Sequence, residues 1–171
     1  MRKFILFMFF LNISILMPLQ AAEDMDEKIR AINRPSTTSE ALKQYSTDSN
    51  WEVRKAVASR QTTPGNLLIE LSSDPEYKVR AAVAHNLRAP REALQPLVND
   101  SSTDVRLSLA HCGYTPPDIL DKLVNDPDAG VRKQLILNPN LNMKTLRAIS
   151  EGKSENATAA SLMLKKRESG Q

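Results

Sequence analysis

Two histidines and a cysteine are the residues whose chemistry would matter most if they met. His85 and His111 lie 26 residues apart, and Cys112 follows the second directly. Imidazoles and a thiolate suit zinc or copper, and a thiol beside histidine can be redox-active. Helices packed about 8–10 Å apart could bring both rings to one ion. Two histidines still fall short of a ligand set, and Ser59 and Leu137, which share their row, add nothing to it. Counting about 100° per residue from Val79 turns His85 away from the apolar side, so solvent-facing polar residues are expected rather than a metal site. Cys112 is the only cysteine, which precludes an intrachain disulfide. Next to Gly113 it reads as a small, half-buried residue at a helix end. An exported metal or redox accessory protein using His85, His111 and Cys112 is the alternative reading. Catalysis has less support still. Ser, His and acidic residues are present, but no GxSxG, HExxH, GxGxxG or paired-Cys spacing occurs. No catalytic residue and no cofactor is expected.

The equivalence of the two histidines comes from a period that runs through the chain. Asp recurs at 48, 74, 100 and 126, Val at 53, 79, 105 and 131, and Arg at 54, 80, 106 and 132. Leu recurs at 42, 68, 94, 120 and 146, and Pro at 64, 90 and 116. A gapless period of this size marks stacked repeats, each too small to bury its apolar face alone. The Asp and Arg rows could pass for a charged functional track. A residue needed at the same place in every repeat more simply serves the stacking. Arg80 lies about 100° round from core-facing Val79, at the seam, where its stem can cover apolar surface and its head meet an Asp or a helix-end carbonyl.

Each repeat carries helix signals. Asp48, Asp74, Asp100 and Asp126, followed by Ser or Pro, suit an N-cap and first helical position. The apolar positions 79, 82 and 83 have the spacing of one helical face, and a helix of about a dozen residues, roughly 18 Å long, is expected. Asn86, Asn138 and Gly113 stand where a left-handed residue would end it. A second, shorter element follows, with Leu94, Leu97 and Val98, or Leu120, Leu123 and Val124, turned inward. Pro96 inside it removes a backbone donor and biases Gln95 away from α geometry, so a short, partly 3-10 element is expected.

The string DPEYKVRAAVAHNLRAP with the LxxLVND segment after it resembles the leucine-rich repeat variant family and, more loosely, HEAT-type repeats. The resemblance covers residues 40 to about 150 and speaks to fold more than activity. It implies a right-handed superhelix of alternating longer and shorter helices. The repeat here is slightly longer than the family's usual unit. Some members carry a cysteine-ligated iron–sulfur segment, which a chain with one Cys cannot. The expectation is an all-α, right-handed α-solenoid of about four 26-residue repeats with N- and C-terminal caps.

The termini fit this plan. Arg2-Lys3, the apolar run Phe4 to Leu16 and the small residues before Ala22 read as a signal peptide over 1–22. An uncleaved anchor is the other reading, although the run is short of a membrane span. Residues 23–39 read as an N-terminal cap, 40–152 as the repeats, and 153–171 as a closing helix and tail. The chain is expected to be exported, to a bacterial periplasm or the medium, without membrane insertion after cleavage. Losing Arg2 and Lys3 leaves 21 basic residues against 20 acidic ones, and all four Phe leave with them. A charge near +1 and few aromatics argue against a nucleic-acid partner. What remains is a protein-binding surface. The outward face of the longer helices carries Trp51, Lys55, Tyr77, His85, Leu107 and His111, aromatic and apolar residues set among polar ones. Trp51 and Leu107 are its leading candidates for anchors.

Overall fold

The computed structural model describes residues 24–152 and 155–170; the expected signal segment 1–22 lies outside them. Among the described residues every regular element is helical. A first helix, α1, spans 24–32 and is followed by α2 (Ser39–Ser46). Longer helices α3 (Trp51–Ser59), α5 (Tyr77–His85), α7 (Thr103–His111) and α9 (Ala129–Leu137) alternate with shorter segments α4 (Gly65–Leu71), α6 (Arg91–Leu94) and α8 (Pro117–Leu120). Helices α10 (Met143–Glu151) and α11 (Ala157–Glu168) close the array. Each long helix packs on the next, α3 on α5, α5 on α7 and α7 on α9. The fold is an α-solenoid.

The core follows the period. Val53, Val79, Val105 and Val131 are each fully buried, as are Leu68, Leu120 and Leu146, with Leu42 and Leu94 nearly so. One valine at one place in each long helix, and one leucine in each short one, forms a ladder that only neighbouring copies can cover. The second element is short as expected. After α6 the chain tightens into a 3-10 turn at Pro96–Asn99, and after α8 into another at Asp121–Leu123. The latter contains no proline, so Pro96 reinforces a form the unit adopts without it. Gln95 keeps α geometry (φ −59°, ψ −43°) despite the proline after it, contrary to the sequence expectation. The tighter turn begins beyond that residue.

The long helices start later and are shorter than the sequence spacing predicts. The repeated Asp is not the N-cap. That position falls two residues later, at Asn50, Glu76, Ser102 and Asp128, and each long helix has nine residues rather than a dozen. At about 1.5 Å per residue these helices are roughly 14 Å long. Each Asp instead opens a side-chain turn, its Oδ1 accepting the backbone N–H two residues on. The distances are 2.8 Å to Asn50, 2.9 Å to Glu76, 2.8 Å to Ser102 and 2.9 Å to Asp128. Its other role spans two repeats. Arg54 Nε and Nη2 donate to Asp74 at 2.7 and 2.9 Å, Arg80 to Asp100 at 2.6 and 2.9 Å, and Arg106 to Asp126 at 2.8 and 3.1 Å. The same guanidinium donates through Nη1 to the carbonyl of its own repeat's Asp, as Arg80 does to Asp74 at 2.7 Å. A bidentate fork with a third bond backwards thus joins each turn to the next. Lys28 holds the first place, 3.1 Å from Asp48, and Arg132 ends the row on Glu155.

The long helices also do not end on left-handed residues. Asn86 (φ −76°), Cys112 (φ −65°) and Asn138 (φ −70°) are extended, and among the described residues only Gly170 has positive φ. The reason is a second ladder. Asn86 Nδ2 donates to the carbonyls of Ala58 and Arg60 at 2.7 and 3.1 Å, and Asn138 to those of Ala110 and Cys112 at 2.7 and 2.9 Å. Both amides are buried and reach back to the end of the preceding helix, to the Ala58 and Ala110 carbonyls in its last turn and to those of Arg60 and Cys112 just past it, which also accept the Thr63 and Thr115 N–H groups. Arg60 does the same towards Ile32 and Arg34. At the equivalent place Cys112 offers only a thiol, 4.0 Å from the His85 carbonyl. Cys112→Asn, close in volume, is therefore expected to stabilise the chain by about 1 kcal/mol. Chemical denaturation of the two proteins checks this; a lower midpoint for the variant would contradict it.

The seam carboxylates respond to acid in a definite direction. Burial tends to raise the Asp74 carboxyl, but hydrogen bonds from Arg54 and the Glu76 N–H, with the charges of Arg54 and Arg80, hold it below its ordinary value. Asp100 is lowered in the same way, with burial opposing and Arg80, the Ser102 N–H and Arg106 prevailing. A carboxyl depressed in the folded state stabilises it fully above the unfolded value, about 3.9, and that contribution is lost as pH falls through the lower folded value. Urea midpoints are expected to fall below about pH 4, with the Asp74→Asn, Asp100→Asn variant showing a shallower loss over that range.

Candidate functional site

The solvent face of α3, α5, α7 and α9 holds every candidate residue, but in unequal positions. Tyr77 is 37% exposed, and Lys55, His85 and His111 are exposed. Trp51 and Leu107 are half-buried and pack partly against the core, so neither stands out as a free anchor. Leu137, at the His85 place of the last long helix, is 48% exposed.

Cations cover the indole of Trp51. Lys78 Nζ lies 4.4 Å from its ring centre and Lys55 Nζ 5.9 Å, while Lys78 is 6.0 Å from the Tyr77 ring. Lys78 was not among the candidates that the sequence offered. It follows Tyr77, the counterpart of Trp51 one period on, and stacked repeats set such neighbours side by side. Between α3 and α5 runs a groove of about 350 Å³ lined by Lys55, Ser59, Tyr77, Ala81, Ala82 and His85. Three of the candidates, Lys55, Tyr77 and His85, thus meet in one concavity.

His85 and His111 do come together. Their rings stack with centroids 5.8 Å apart and planes inclined by 15°. The Gln134 amide lies 3.0 Å from His111 Nδ1 and donates to it. Cys112 does not join them, because it is buried with its sulfur towards the His85 carbonyl. Among the described residues no three His, Cys, Asp or Glu side chains converge as metal ligands. No described helix is long and apolar enough to cross a membrane.

Residues 77–102 match the family model described as leucine rich repeat variant. Among solved structures the chain is similar to one described as a leucine-rich repeat variant with a novel repetitive protein structural motif. That likeness has a TM-score of 0.56 and 25% identity, and it covers 84% of this chain. The chain is a helical repeat protein similar to leucine-rich repeat variant proteins. It spans 61% of the length of that solved relative. An engineered protein is also similar, with a TM-score of 0.45, 17% identity and coverage of 88% of this chain and 90% of the other. No curated protein matches the sequence.

In this solenoid the positions divide into two sets. Core and seam residues repeat because each copy must fit its neighbours. Face residues carry no such constraint. The row of Trp51, Tyr77, Thr103 and Ala129 and the row of Ser59, His85, His111 and Leu137 change at almost every step.

Proposed function

We propose that the chain is an exported protein-binding or scaffold module, not an enzyme, and that it meets its partner on the solvent face of α3, α5, α7 and α9. The contrast within the repeats carries this reading. Val and Arg recur unchanged at the core and the seam, while the face beside them presents Trp51, Tyr77, Thr103 and Ala129 in turn. A constant frame under a changing surface offers a different contact at each step, which suits an extended protein partner. Export rests on Arg2-Lys3, the apolar run after them and the small residues before Ala22. A charge near +1 for the processed chain argues against nucleic acid as the partner.

Immobilised protein exposed to the exported fraction of its host is expected to retain a protein. The Tyr77→Ala, His111→Ala variant, altered only at exposed positions, should lose that protein while its melting temperature stays within a few degrees. Retention indifferent to face substitutions but abolished by removing 156–171 would instead place contact at the end of the solenoid.

A further inference from the structure

The groove between α3 and α5 differs electrostatically from the seams beside it. At the seams each cation has its carboxylate: Lys28 with Asp48, Arg54 with Asp74, Arg80 with Asp100 and Arg106 with Asp126. Lys55 and Lys78 have none; among the described residues neither forms an ion pair. Both ammonium groups approach the same indole, at 5.9 and 4.4 Å from its centre. The ring face attracts them, but each cation repels the other, and no acidic side chain lines the groove to offset this. Two convergent cations without a carboxylate are complementary to an arriving one. The floor is of a different kind. Ala81 and Ala82 make it small and apolar, with the Tyr77 ring at its side.

From this charge pattern we infer that the groove receives an acidic segment of a protein partner. A Glu or Asp side chain seats between Lys55 and Lys78, and an adjacent apolar side chain lies on Ala81, Ala82 and Tyr77. The inference rests on the binding role proposed above and adds to it the partner's chemistry and its place of contact. A lone inorganic anion would leave the apolar floor uncovered, whereas a peptide supplies both features from neighbouring residues. Fixed by cations on the rim and an apolar contact within, such a complex should form faster at low salt than at high salt.

Panning the purified full chain against a displayed random dodecapeptide library tests this. The enriched peptides are expected to carry Asp or Glu next to an apolar residue. A synthetic copy of one should bind the Lys55→Glu, Lys78→Glu variant at least roughly tenfold more weakly. Replacing the peptide's acid by Lys should restore binding to that variant, a rescue that mere loss of folding cannot produce. Enriched peptides without an acidic bias, or equal affinity for variant and parent, would overturn the inference while leaving the binding role intact. So would inorganic polyphosphate binding in place of any peptide. Failure of the exported-fraction experiment as well would remove the binding role itself.

Discussion

Val105→Asp is expected to lower the unfolding free energy by more than about 3 kcal/mol and to leave much of the chain unfolded at physiological temperature. Val105 is fully buried in α7, which packs between α5 and α9, and its counterparts Val79 and Val131 are equally buried. A carboxylate there has no hydrogen-bond donor in the apolar row, so it either stays charged at high cost or takes up a proton. The position is also central. A defect in a terminal repeat costs one interface, but a defect in α7 weakens the contacts with α5 and α9 together. Thermal and urea unfolding followed by circular dichroism read the effect. Lys133→Ala, on the solvent face of α9, is the matched control and should stay within about 0.5 kcal/mol. A Val105→Asp protein as stable as the parent would mean that the valine row is not a core.

Asp126→Ala comes next, at about 3–5 kcal/mol. The Asp126 side chain is only 2% exposed and that of Arg106 10%. Removing the carboxylate strands a guanidinium at the seam and takes the acceptor from the Asp128 N–H. Burial, more than ion pairing as such, sets this magnitude. The Arg91–Asp118 pair is about half exposed on both sides, and Asp118→Ala should cost no more than about 1 kcal/mol. Asp126→Asn, which keeps an acceptor for the turn but loses the charge, should fall between them. Equal losses for Asp126→Ala and Asp118→Ala in denaturation experiments would contradict this ranking.

The residues divide by how much of their role shows in the sequence. The valine and leucine rows are legible because burial must recur wherever a repeat recurs. The seam arginines are legible in part: their place beside the core valine follows from helical geometry, and the structure supplies their partners. The repeated Asp is misread as a cap because its neighbours in sequence suit one. Its stronger partner is the Arg 20 residues earlier, on the previous repeat. Lys28 could have been found from the period, since it stands 26 residues before Arg54. Asn86 and Asn138 are legible as helix-end residues but not as a ladder, because an amide reaching back to a carbonyl has no hydrophobic periodicity to reveal it.

On the face, the rows are legible but the exposure within them is not. Trp51 and Leu107 look free on a helical wheel, yet adjacent nine-residue helices shield them. Lys78 makes the point most directly. Its contact with Trp51 crosses from one repeat to the next, and no window on a single helix contains both residues.

Each of Arg54, Arg80 and Arg106 ties its repeat to the following one. Double-mutant cycles on Arg80 measure this directly, pairing Arg80→Ala once with Asp100→Ala and once with Asp74→Ala. Coupling of about 1–3 kcal/mol with Asp100, and no more than about 0.5 kcal/mol with Asp74, is the predicted result. Stronger coupling to Asp74, or none to Asp100, would mean that the arginine serves its own repeat and that the stack is held by something else.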